Sequence, residues 1–126
     1  VWPDQRERFL RLETAIEVAR KVPAQIDRAD FLNWIPQRVV PRGKTVTVVM
    51  HSVVTEHLDE PVCEAMRAAI ENACGAATND APMAWLRMER DAGGRYGTRV
   101  TLWPSRREQT VARSNGHAQA IEWVNA

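Results

Sequence analysis

Cysteine, glycine and lysine are scarce in this chain, and it has no long apolar run. Each shortage removes a class of protein. The 126 residues include 2 Cys, 6 Gly, 1 Tyr and 2 Phe. Cys63 and Cys74 fall within one predicted helix, eleven positions apart, which is about 16 Å of axial rise. A disulfide needs Cα atoms within about 7 Å, so these two cannot pair inside that helix. No CxxC occurs. Two buried thiols in a reducing, cytoplasmic compartment are expected rather than a metal or redox site. No apolar stretch approaches the roughly 20 residues of a membrane span, and no signal peptide opens the chain. Charge of one sign is also missing: 17 basic against 16 acidic side chains leave +1. No basic field calls for nucleic acid or anionic lipid. What remains, 44% hydrophobic and 26% charged residues, reads as one soluble globular domain, 1–126. The chain opens on Val1 rather than Met, so a piece of a longer protein is expected.

Order along the chain is more informative. Phe9, Leu12, Ile16 and Ala19 recur at helical spacing and predict a helix from Asp4 to Lys21. Pro3 suits its start and Pro23 its end. A short strand is expected over Gln25–Arg28, then a turn at Asp30 that caps a helix from Phe31 to Val39, bent or shortened by Pro36. Thr45–Met50 is β-branched and apolar without alternation, which predicts a strand buried on both faces, as at the centre of a parallel sheet. Val62, Met66, Ala69, Ile70 and Ala73 form one stripe of a helix running from Asp59 to Cys74, with Gly75 following. A second buried strand is expected over Met83–Glu89. More alternating strands are expected over Gly97–Trp103 and Glu108–Arg113, and a last one over Gln119–Val124. Alternating strands and helices imply a parallel sheet, with the antiparallel meander at its edge.

The motifs VWPDQ (Val1–Gln5), RADFLNW (Arg28–Trp34), TVVMHSVV (Thr47–Val54), APMAWLRME (Ala81–Glu89), LWP (Leu102–Pro104) and NGHAQAIEW (Asn115–Trp123) occur in order. Together they resemble the carboxyl-terminal part of an uncharacterised bacterial family, the domain-of-unknown-function 2332 family. That resemblance implies an α/β, partial Rossmann-like, methyltransferase-like three-layer sandwich. Its parallel strands would be followed by an antiparallel C-terminal meander, a hairpin inserted antiparallel. It further implies that the chain is the C-terminal half of a longer S-adenosylmethionine-dependent methyltransferase-like domain. The glycine-bearing turn that opens the cofactor cradle would lie upstream. The parent would then bind S-adenosylmethionine, whereas this chain alone, lacking half the cradle, would bind it weakly or not at all. A strand left without its neighbour invites a homodimer through the exposed edge.

The resemblance implies cofactor contacts at Asp30, Phe31 and Ser52, with Asp30 accepting from the adenine amino group. Asp30 is equally explained as a helix N-cap. It implies that His51, Glu89 and His117 line the side of an unknown small-molecule acceptor, where a histidine can serve as general base. His51 is equally explained as a hydrogen-bonded wall residue. No acid is evident to complete a Ser-His-acid triad, and His51 and Ser52 point to opposite faces of an extended strand. Arg87 and Glu89 share one face, where they either serve a site or simply pair with each other. The His51, Glu56, His57 set does not match a metal-ligand spacing, and no metal is expected. Trp85 and Trp123 are expected in the core, and Trp2 and Trp103 either in packing or at a rim. A non-catalytic α/β binding or assembly domain is the alternative reading.

Overall fold

The computed structural model describes residues 4–91, 93–115 and 120–124. It is a mixed α/β structure of three helices and a five-stranded mixed sheet. Helix α1 spans Arg6–Lys21 and α2 spans Phe31–Arg38. Strand β1 (Thr47–Ser52) leads through a 3₁₀ turn, Thr55–His57, into α3 (Glu60–Cys74). The strands β2 (Met83–Arg90), β3 (Tyr96–Trp103), β4 (Arg107–Ser114) and β5 (Ile121–Trp123) complete the chain. No helix among the described residues is long and apolar enough to cross a membrane.

The strands lie in chain order, β1-β2-β3-β4-β5. Only β1 and β2 are parallel, joined through α3; every later pair is antiparallel. The meander therefore extends the sheet outward strand by strand, and no hairpin is inserted between earlier strands. Tight turns explain this: Asp91 N donates to Arg95 O at 2.7 Å, closing the β2–β3 connection too tightly for a crossover. A bulge between Thr98 and Arg99 shifts the register, so that Thr98 faces Ala112 while Arg99 faces Thr110.

The expected strand over Gln25–Arg28 is absent; the segment is coil between α1 and α2. A strand needs a neighbour for its backbone groups, and this segment is tied to α2 by side chains instead. Asp27 accepts from Trp34 Nε1 at 2.8 Å and pairs with Arg38 at 3.4 Å. Helix α2 begins where expected, with Asp30 Oδ1 accepting from Leu32 N at 3.0 Å and Asn33 N at 3.2 Å. Pro36 lies inside this short helix.

Helices α2 and α3 pack together on one face of the sheet. Ile35 and Val39 from α2, Met66, Ile70 and Cys74 from α3, and Met83, Trp85 and Trp103 from the strands form the core. Trp103 is thus a core residue, whereas Trp123 is 73% exposed on the short edge strand and does not join the core. Strand β1 departs furthest from expectation. Thr47, Val49 and His51 face the helices, but Val48 and Met50 are 54% and 68% exposed on the other face. The helical cover expected on both faces of a three-layer sandwich is found on one. β1 also forms one edge of the sheet, the edge at which pairing with a second copy is expected from the sequence. Helix α1 keeps no buried residue, and its stripe of Phe9, Leu12 and Ile16 is exposed.

The two faces should respond differently to truncation. Ile70, 1% exposed, should cost about 2–5 kcal/mol on Ile70→Ala. Met50→Ala, on the open face, should stay within about 0.5 kcal/mol. Urea unfolding of both variants measures this, and equal losses would mean that the open face is packed in solution.

Candidate functional site

The parallel pair brings two side chains together across 38 positions of sequence. His51 lies near the end of β1, directly beside Arg87 of β2, and Glu89 lies one pleat further on the same face. His51 Nδ1 is 2.7 Å from Glu89 Oε1, and both side chains are largely buried. The backbone after β1 completes the arrangement. Glu89 Oε1 also accepts from Val54 N at 3.0 Å, and Oε2 accepts from Thr55 N at 3.3 Å and from Thr55 Oγ1 at 2.6 Å. Val53 makes this possible by taking φ 55°, a left-handed conformation that a β-branched residue adopts at a cost of about 1–2 kcal/mol.

Burial alone would raise the Glu89 pKa. The hydrogen bonds from the Thr55 side chain, Val54 N–H, His51 and Thr55 N–H outweigh it and hold the carboxyl below its ordinary value. Glu89 is therefore a carboxylate with only acceptor atoms, so His51, in its neutral form, donates from Nδ1. The lone pair then sits on Nε2. His51 Nε2 and Trp85 Nε1 are both buried and without a hydrogen-bond partner, and the two rings lie 5.7 Å apart, tilted by 44°. Unpartnered buried nitrogens are costly, and two on facing rings require an explanation.

These groups line a pocket of about 330 Å³ at the carboxyl ends of the parallel strands. Its walls include His51, Thr55, Trp85 and Glu89, with Cys63 and Met66 from α3. The Cys63 thiol lies 3.7 Å from Thr55 O and 3.8 Å from Leu58 O, so its proton is directed at backbone carbonyls. Cys74 is fully buried, and burial together with the charge of Glu71 pushes its thiol up to about 11. Neither cysteine is in a disulfide.

Arg87 and Glu89 do share a face, but they do not pair. Arg87 donates to Glu108 Oε2 at 2.6 Å and Thr101 Oγ1 at 3.1 Å and stacks 4.2 Å from the Trp85 ring centroid. With Arg87 engaged by Glu108 on β4, Glu89 meets His51, so an acid is placed on the histidine where none was expected. Ser52 faces the opposite side of the sheet from His51, and is exposed. Asp30 is engaged as the α2 cap, and Phe31 packs against the core. None of Asp30, Phe31 and Ser52 lines the pocket. His117 and Trp2 lie outside the described residues. His57 is exposed on the 3₁₀ turn, and no group of three or more His, Cys, Asp or Glu among the described residues is placed to hold a metal ion. Sequence reasoning missed Thr55, the free Trp85 nitrogen and Arg99. The β-branched run ending in His51-Ser52-Val53-Val54-Thr55 carried a signal only for the strand.

Residues 1–123 match the profile of a family described as an uncharacterized protein conserved in bacteria, DUF2332. No curated protein and no solved structure matches the chain.

The lowered Glu89 pKa predicts a sign for pH dependence. A folded-state pKa below the unfolded one stabilises the fold above the unfolded value, and that contribution disappears as pH falls through the folded one. Stability should therefore drop as pH falls below about 4. Glu89→Gln should flatten part of that slope; Glu108, held low chiefly by its bond from Arg87, supplies another part. Thermal unfolding from pH 7 to pH 3 checks this, and an unchanged slope in the variant would contradict it.

Proposed function

We propose, for a chain that belongs to the uncharacterised bacterial DUF2332 family, that its pocket is an acid–base site in which His51 takes a proton from a bound small molecule. The observation that carries this reading is the His51–Glu89 contact at 2.7 Å together with the unpartnered Nε2 on the other side of the ring. A carboxylate on Nδ1 fixes the ring, keeps the lone pair on Nε2 and stabilises the imidazolium that forms on proton uptake. Glu89 is itself fixed by Thr55 and Val54, so the dyad is oriented before any ligand arrives. Glu89 is a positioning residue in this scheme, and His51 the catalytic one.

Methyl transfer is the reaction class the family resemblance suggests. Its support here is the parallel β1–α3–β2 unit with the dyad at its carboxyl end, where ligands of open α/β sheets bind. The three residues expected to contact S-adenosylmethionine, Asp30, Phe31 and Ser52, do not meet at this pocket, so no step through that cofactor is derived. A cytoplasmic location fits two free thiols, one of them fully buried.

The imidazole nitrogen shifts of the ¹⁵N-labelled protein test the base directly. The Nδ1–H tautomer should dominate at neutral pH, and Glu89→Ala should abolish that preference. A dominant Nε2–H tautomer in the parent would remove His51 as base. Once an acceptor is in hand, His51→Ala should lower turnover by about 10²–10⁴-fold. The methyl-transfer reading has its own check, calorimetry of a longer family member bearing the glycine turn. No heat with millimolar S-adenosylmethionine would remove that reaction class and leave the base standing.

A further inference from the structure

The geometry points to a ligand class for this pocket: a small molecule carrying a carboxylate or phosphate, held by Arg99 with Arg67 and Arg90, and a protic group placed against His51 and Trp85. The placing of the protic group rests on the base assigned above; the anion subsite does not. Arginines from three elements line the same pocket, Arg67 on α3, Arg90 at the end of β2 and Arg99 on β3. None of the three makes a side-chain hydrogen bond or ion pair to a described residue.

Register makes the arrangement costlier. Arg99 is the direct cross-strand partner of Arg87, which in turn neighbours His51 on β1. Like charges directly opposed across a sheet are destabilising unless something answers them. Glu108 answers Arg87 at 2.6 Å and feels Arg99 only through space. The pocket's own carboxylates match the three in formal charge but make no direct pair with them. Glu89 is filled by four donors, and Glu56 accepts from Tyr96 Oη at 2.8 Å. Glu60, the remaining lining carboxylate, makes no bond to any of the three guanidinium groups either. A planar or tetrahedral oxyanion accepts two parallel N–H bonds from each arginine it meets.

The second, independent sign of a ligand is the pair of buried nitrogens. Trp85 Nε1 is a donor and His51 Nε2 an acceptor, both without partners on rings 5.7 Å apart. A hydroxyl set between them would satisfy both, accepting from the indole and donating to the imidazole. Arg87, stacked on Trp85, links the two subsites. A short hydroxy acid or its phosphate counterpart has both features.

Heteronuclear NMR of the intact chain at constant ionic strength tests this, with inorganic phosphate, acetate and glycolate as probes. The Arg99 guanidinium resonances should shift saturably with each, and the Trp85 indole N–H most with glycolate. Arg99→Ala should weaken binding about tenfold, the loss expected for a charge-assisted contact. Arg67→Ala, on an exposed helix face, gives the same readout should the Arg99 variant misfold. Shifts no larger than those of Arg6 and Arg11 on α1, or none at the pocket, overturn the anion subsite. Glycolate should bind several-fold more tightly than acetate, and His51→Ala should erase only that difference. Equal affinities overturn the placing of the protic group while the anion subsite stands, and the tautomer measurement separately reports on the base.

Discussion

The Glu89 carboxylate is the anchor on which the organised end of this molecule depends. It receives His51 from the neighbouring strand and three donors from Val54 and Thr55, just past the end of β1. Remove it, and three backbone or side-chain donors and one imidazole lose their acceptor in a largely buried place, which is where the loss is most costly. The left-handed Val53 is tolerated because this carboxylate rewards the bend. Chain direction, pocket wall and histidine orientation are therefore consequences of one side chain near the end of β2.

Much of the element order was legible because it rests on local signals. Helix α3 was readable from its apolar stripe, Asp30 from its capping chemistry, and β3 and β4 from turn residues on either side. The misreadings share a physical cause, namely that they depended on neighbours. Gln25–Arg28 has strand-like residues but no strand beside it, and Asp27 ties the segment to α2 instead. Thr45–Met50 has the composition of a twice-buried strand, yet cover is present on one face only. Arg87 and Glu89 were correctly placed on one face, but which partner each would take depended on β1 and β4, far away in sequence. His51 and Glu89 were both readable as residues of one side of a site; their direct contact was not, because parallel register is set by α3 and the core rather than by either strand.

Two kinds of surface coexist here. One face of the sheet is packed under α2 and α3, and the pocket opens at the end of that packing, beside the start of α3. The other face presents Val48, Met50 and Leu102 to solvent, as α1 presents Phe9, Leu12 and Ile16. The His51–Glu89 pair lies on the packed side, where a carboxylate and an imidazole are held by fixed partners. The open side carries apolar area without convergent polar groups.

The irregularity between β3 and β4 decides which side chain answers Arg87 across the sheet. With Val111 accommodated as an extra residue on β4, between the partners of Thr98 and Arg99, Thr101 is opposed by Glu108. In an unbroken ladder continuing from Thr98 opposite Ala112, the position across from Thr101 would belong to Gln109, an amide instead of an acid. Arg87 would then lie on Trp85 without a counter-ion, next to an equally uncompensated Arg99. A single added backbone unit thus sets whether Arg87 meets an acid or an amide from the neighbouring strands.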